Sequence, residues 1–202
     1  MRKRNPYLTP INLTLIVINA VIFIVLEYLG NTEDAEFMFR HGALFPPSIT
    51  ESHEYYRFFT SVFIHFGWSH IGNNMVMLFF LGSYLEDALG KIKYLCLYLT
   101  TGISSSVISF LVMMYHRDYA VSGGASGAIF GVIGALLYIV IRNHGKFEGL
   151  TTQRFVLMIA LSLYYGYHSS GVDNAAHVGG LVTGFIFAIF LYRTYTEKKE
   201  TR

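Results

Sequence analysis

Six apolar runs, at 11–29, 61–84, 94–115, 126–141, 155–169 and 175–192, follow one another with few charges inside them. A helix needs about 20 apolar residues to cross ~30 Å of hydrocarbon, and somewhat fewer where the bilayer adapts. The pattern predicts an all-α polytopic membrane protein, a six-transmembrane helix bundle. The fourth and fifth runs are short for free spans, so they are expected to extend into flanking residues or to sit where the protein is thin. Composition agrees, since 14% of residues are charged where a soluble domain carries roughly 25%. A net charge of +2 with no basic stripe excludes a nucleic-acid partner. The single cysteine, Cys96, cannot form an internal disulfide and reads as a small buried hydrophobe. The first run is too long for a signal peptide, and no small-x-small cleavage site precedes Glu33, Asp34 and Glu36.

Lys and Arg orient the bundle. With the N-terminus inside, the inner segments hold Arg2, Lys3, Arg4, Lys91, Lys93, Arg142, Lys146, Arg154, Arg193, Lys198, Lys199 and Arg202, twelve of the fifteen basic residues. Arg40, Arg57 and Arg117 fall outside. The positive-inside rule therefore gives N-in and C-in. The chain divides into a cytoplasmic N-terminal tail at 1–10, a six-span domain at 11–192 and a cytoplasmic C-terminal tail at 193–202. The outer segment 30–60 carries Phe37, Phe39, Leu44, Phe45, Tyr55, Tyr56, Phe58 and Phe59, too aromatic for a floppy linker. It is expected to be a partly helical, amphipathic structure at the outer interface.

Polar groups inside a span are expensive and mark function by default. The second run carries His65, His70, Asn73 and Asn74; the fourth opens with Gly123, Gly124, Ala125, Ser126 and Gly127; the sixth opens with Asn174, Ala175, Ala176 and His177. Runs two, four and six all begin at the outer face in this orientation, so the three clusters share one depth. His70 and Asn74 are i,i+4 and share a helix face. Ser126 occupies the first turn of its span, where free backbone N–H groups and the positive dipole end favour a developing negative charge. Gly127 and Gly131, like Gly180 and Gly184, follow the small-xxx-small pattern of closely packed membrane helices. Packing through those faces brings Ser126 and His177 together as a nucleophile–base pair. Taken singly, each residue has a plainer reading: a packing serine, a structural histidine, or a helix-bridging His70–Asn74 pair.

In chain order, Tyr56-Arg57, His65-Phe66, His70, Asn74, Glu86 in LEDALG, GASG around Ser126, and AAHVGGLVTG around His177 resemble the rhomboid family of intramembrane serine proteases, in its minimal six-span bacterial form. The resemblance implies Ser126 as nucleophile and His177 as general base, a dyad without an obligatory carboxylate. It implies an oxyanion hole of His70, Asn74 and the Ser126 backbone N–H. Phe130 would stack on His177, Gly124 and Gly127 would belong to the catalytic turn, and Gly180 and Gly184 would contact the fourth span. His65, Arg57 and Glu86 would be supporting residues. The chain departs from the family in having Tyr56-Arg57 for a Trp-Arg pair and Phe130 where Tyr is frequent. Asp173, four residues before His177, reads as a loop residue.

A membrane helix has its backbone groups internally paired, so a transmembrane substrate must unwind near Ser126, and segments weakened by Gly, Pro or polar residues are favoured. The fifth span, with Tyr164, Tyr165 and Tyr167, and the outer loop are expected to gate lateral entry. The resemblance implies transmembrane protein substrates in a bacterial plasma membrane, a site opening to the outer face, and no cofactor or metal. The competing readings are a rhomboid-like client-binding protein without protease activity, a haem- or metal-binding membrane protein using His65, His70 and His177, and a proton or ion transporter with a His relay.

Overall fold

A computed structural model of the chain describes residues 9–169 and 171–192. The expected charged tails, with Arg2, Lys3, Arg4, Arg193, Lys198, Lys199 and Arg202, lie outside the described residues. The helices are α1 (Pro10–Leu29), α2 (Ala35–Arg40), α3 (Pro46–Thr50), α4 (Arg57–Thr60), α5 (Gly67–Met77), α6 (Ser83–Leu89), α7 (Lys91–His116), α8 (Ser126–Arg142), α9 (Thr152–His168) and α10 (Asn174–Leu191). A π turn at Leu78–Gly82 joins α5 to α6 into one rod. By length and composition α1, α7 and α10 can cross a membrane, and α8 is a shorter apolar helix.

The second apolar run differs from its expected bounds of 61–84. Ser61–Phe63 form a 3₁₀ turn, the backbone then extends at Ile64, and the helix starts at Gly67 with φ +78. Residues 61–65 turn inward because their polar groups are used there: the Ser61 carbonyl accepts from Gly124 N at 2.8 Å, and His65 Nε2 accepts from Ala125 N at 3.2 Å.

α8 explains its own shortness. It packs against α7 and α10, touches α5, α6 and α9, and is buried on nearly every face. A helix wrapped by protein need not match the hydrocarbon thickness. Lys93 Nζ donates to the Leu191 carbonyl at 2.8 Å, and Asn143 Nδ2 donates to the Tyr192 hydroxyl at 2.9 Å. Those bonds level the start of α7 with the ends of α8 and α10. The helices have 26, 17 and 18 residues, so at 1.5 Å per residue α8 and α10 begin about 12–14 Å short of the far end of α7. The loop 117–125 descends to make up the difference.

Small residues set the packing. A Cβ on Gly180 would collide with the Gly127 carbonyl, and one on Gly184 with the Gly131 carbonyl. α8 and α10 therefore meet backbone to backbone. Cys96 is exposed on α7 rather than buried. Against lipid, an apolar side chain has no reason to turn inward, so hydrophobicity does not foretell burial here.

Segment 30–60 is built around Arg57, which is 3% exposed. Its guanidinium donates to the carbonyls of Phe39 at 2.6 Å and Ala43 at 2.8 Å and pairs with Glu54 at 2.5 Å, while lying 4.4 Å over the Phe39 ring. One buried cation so gathers three short helices that have little core of their own. At the other end of the α5–α6 rod, Glu86 accepts from Ile11 N at 3.2 Å and Asn12 N at 2.7 Å. It thereby caps α1, whose first N–H groups have no intrahelical partner. The α8–α9 connection adds a two-residue hairpin, β1 (Lys146–Phe147) with β2 (Leu150–Thr151). Glu148 and Gly149 at its tip both have positive φ, as a type I′ turn requires.

Candidate active site

The turn leading into α8 is held on three sides. Leu44 and Ser122 exchange backbone hydrogen bonds of 2.8 and 2.9 Å, and Gly124 and Ala125 bond to Ser61 and His65 as above. His65 is fully buried, and its Nδ1 lies 3.3 Å from the Phe63 carbonyl. An Nε2 that accepts from Ala125 leaves the proton on Nδ1, so the ring bridges two backbones. Gly124 has φ +134, and a Cβ there would stand 2.8 Å from the His70 ring. Both backbone conformation and space therefore demand glycine. Ser126 follows at the first position of α8, half-buried, on the positive end of a 17-residue helix.

Two donors converge on that turn. His70 Nδ1 accepts from Phe66 N at 3.3 Å, which places the ring proton on Nε2, the edge facing Gly124. Asn74 Nδ2 is buried and has no hydrogen-bond partner among the described residues. It lies 3.7 Å from where a Cβ on Gly124 would be. A buried donor without an acceptor costs about 1–3 kcal/mol.

His177 sits one turn into α10, nearly buried, with its ring stacked on Phe130 at 4.2 Å and 9°. Its Nδ1 is likewise buried and without a partner among the described residues. Asp173 does not serve it. The Asp173 carboxylate accepts from Ala176 N at 2.9 Å, from Ser122 Oγ at 2.8 Å and from Ser109 Oγ. It caps α10 and ties it to α7 and to the turn before Ser126. Gly127 and Ala176, the neighbours of Ser126 and His177, face each other across the α8–α10 contact. The structure thus gathers Ser126, His177, His70, Asn74, Phe130, Gly124 and Gly127 at one end of α8, with His65 beneath. Gly180 and Gly184 continue down the same seam. Arg57 and Glu86 stand apart, in segment 30–60 and at the far end of the rod. Among the described residues no group of three or more His, Cys, Asp and Glu is placed to hold a metal.

Sequence reasoning passes over Asn12, Asp173, Ser122 and Leu44 as supports. Asn12 was open to discovery, because a polar residue inside the first apolar run meets the same criterion that singles out His70 and Asn74. No local signal marks Leu44 or Ser122, whose pairing is purely tertiary.

Residues 52–194 match the Rhomboid domain. The chain belongs to the rhomboid family. This rhomboid is similar to the Rhomboid protease GluP of Bacillus subtilis (strain 168), at 34% identity over 176 residues that cover 87% of this chain and 34% of that protein. It is 37% identical to the RHOMBOID-like protein 1 of Arabidopsis thaliana over 157 residues, 75% of this chain and 39% of the relative. The RHOMBOID-like protein 5 of the same plant is 34% identical over 145 residues, 71% and 46% of the two chains. The rhomboid described here spans about a third to a half the length of these relatives. With its apolar helices, the family makes it an integral membrane protein.

Proposed function

We propose that this rhomboid is an intramembrane serine endopeptidase that cuts membrane proteins within or beside a transmembrane segment, using Ser126 and His177 as a dyad. The observation that carries the reading is the unpartnered Asn74 Nδ2, buried beside His70 and Gly124 at the start of α8. It is a donor awaiting an oxyanion. Ser126 Oγ attacks the scissile carbonyl carbon while His177 takes the hydroxyl proton. Negative charge develops on the carbonyl oxygen, where Asn74 Nδ2, His70 Nε2 and the Ser126 backbone N–H stabilise it together with the helix dipole. The intermediate collapses as His177 protonates the leaving amine, and the acyl group stays on Ser126. Water then adds to the ester carbonyl as His177 removes its proton; the acyl–Ser126 bond breaks, His177 returns the proton to Ser126 Oγ, and the acid is released. Phe130 keeps the imidazole in plane throughout.

We read the rods α1, α5–α6, α7, α8, α9 and α10 as six spans, N-in and C-in, with the site opening to the outer face. The recessed starts of α8 and α10 support a reacting centre below the membrane surface that water reaches from one side. α9 supports lateral entry, since Tyr164, Tyr165 and Tyr167 are all exposed and only Phe155 and Gly166 of this helix are buried.

The test is a paired assay. Wild type and Ser126→Ala, purified in detergent, are each given a model transmembrane substrate with a small residue near its outer end. Cleavage by wild type alone is expected. Cleavage by both would assign the activity to another nucleophile, and cleavage by neither over several substrates and lipids would favour a client-binding role.

A further inference from the structure

The α5–α6 rod carries His70 and Asn74 near one end and Glu86 near the other, on positions separated by steps of four: 70, 74, 78, 82, 86. In an α-helix each step of four overshoots a full turn by about 40°, so four steps drift by about 160°. A straight α-helix that buried Glu86 would swing His70 and Asn74 toward the outside of the bundle. In this molecule Asn74, Leu78 and Glu86 are at most 8% exposed, and Gly82 is buried with them. The π turn at Leu78–Gly82 accounts for it, because one extra residue in a turn takes back about 100° of drift.

Two side chains hold that turn: Ser83 Oγ donates to the Phe79 carbonyl at 2.7 Å, and Asn12 reaches in from another helix. Asn12, fully buried in α1, donates from Nδ2 to the Leu78 carbonyl at 2.9 Å, to Ser83 Oγ at 3.1 Å and to the Phe79 carbonyl at 3.5 Å. Its Oδ1 accepts from the Tyr94 hydroxyl at 2.6 Å. A Cβ on Gly82 would strike Asn12 Oδ1 and come within 2.6 Å of the Tyr94 hydroxyl, so the amide reaches into the space that Gly82 leaves open. The backbone N–H of Asn12 is meanwhile bound by Glu86. A π turn moves carbonyls off their usual i+4 partners, and a buried carbonyl needs some donor.

We infer that Asn12 is a positioning residue for the oxyanion site: by holding the π turn at Leu78–Gly82, it sets the rotation that points His70 and Asn74 at Gly124. Asn12 touches no reacting atom and acts at Leu78, about 6 Å of helix rise from Asn74 and about 12 Å from His70. The inference rests on the oxyanion role proposed above for its catalytic part, while its geometric part stands without it. Glu86 and Tyr94 belong to the same device, one fixing the start of α1 and the other the free face of the Asn12 amide.

The experiment compares wild type, Asn12→Ala, Asn74→Ala and the double variant in detergent, by kcat and KM on the model substrate and by ¹⁵N spectra of histidine-labelled protein. Asn12→Ala is expected to lower kcat about tenfold with KM moved less than about twofold, and the double variant to lose clearly less than the product of the two single losses, since Asn12 acts in part through Asn74 and in part through His70. Losses that multiply, or an Asn12→Ala protein with wild-type kcat, would overturn the inference. The His70 Nδ1 signal, identified by its loss in His70→Phe, is expected to shift in Asn12→Ala as the Phe66 N–H moves away. An unchanged signal overturns the inference whether or not any substrate is cut, whereas undiminished cleavage by Ser126→Ala sinks only the protease reading. Should Asn12→Ala not fold, Tyr94→Phe removes one hydroxyl and leaves the amide in place. It is expected to shift the same signal in the same direction by less, and no shift at all counts against the inference.

Discussion

Phe130 and His177 lie face to face, their ring centroids 4.2 Å apart and their planes 9° from parallel. The stack joins the second turn of α8 to the first turn of α10 and leaves the imidazole edges free. Such pairs contribute about 0.5–1.5 kcal/mol beyond area burial. Phe130→Ala is therefore expected to lower kcat by up to about tenfold, while Phe130→Tyr keeps the ring and the rate. Steady-state kinetics on one transmembrane substrate decide it, and an Ala variant at full rate would remove Phe130 from the orientation of His177.

Asn74 is the sharper case. Its donor has no partner among the described residues, so its removal relieves a buried mismatch while costing the transition state a hydrogen bond. Asn74→Ala is expected to lower kcat by about 10²-fold with a melting temperature no lower than wild type. Reduced stability together with undiminished kcat would contradict an oxyanion role.

Asp173 is expected to behave as an anchor and not as a third catalytic group, because its carboxylate is already bound to Ser109, Ser122 and Ala176 N. Asp173→Ala should lower the melting temperature, by a loss of about 1–3 kcal/mol for hydrogen bonds to a charged group, with kcat per folded molecule within a few-fold of wild type. A kcat loss near the 10⁴-fold seen when a triad acid is neutralised would instead make a carboxylate partner for His177.

Gly180 faces the Gly127 carbonyl with no room for a methyl. Gly180→Ala forces α8 and α10 apart, at a cost of about 1–3 kcal/mol for overpacking or more against backbone, and carries His177 away from Ser126. Thermal melting and labelling of Ser126 by a serine-reactive fluorophosphonate should fall together. Labelling at the wild-type rate would show that the seam does not set the spacing of the pair.

Glu86 caps α1 at the end of the rod opposite His70. Each Glu86 oxygen accepts from one N–H, so Glu86→Gln turns one acceptor into a donor that faces an N–H, which is expected to cost about 1–3 kcal/mol. Differential scanning in detergent reads the loss, and an unchanged melting temperature would deny Glu86 its capping role.

The turn around Ser126 and the AHVGGLVTG stretch were legible in the chain because they carry their reasons locally. Glycines at helical spacing announce a close helix contact, and a serine opening an apolar run announces a helix N-terminus. That His70, Ser126 and His177 share one end of the bundle follows from the alternation of apolar runs. The start of the second helix was misplaced, since 61–66 are as apolar as a span, and only the bonds to Gly124 and Ala125 draw them inward. His65 was visible as a polar intruder, but its task under the turn depends on a partner 60 positions away.

The amino-acid order alone therefore dictates the apolar periodicity, the small residues of the α8–α10 seam and the chemistry available at each polar position, all properties of single residues and near neighbours. The folded chain decides which way those residues face. Rotation along a rod is cumulative, so a single π turn under Leu78, stabilised from another helix by Asn12, determines whether His70 and Asn74 look at Gly124 or at lipid. Burial is likewise a property of the assembly: Cys96 and the tyrosines of α9 face outward, and the short α8 sits at the centre because other helices surround it.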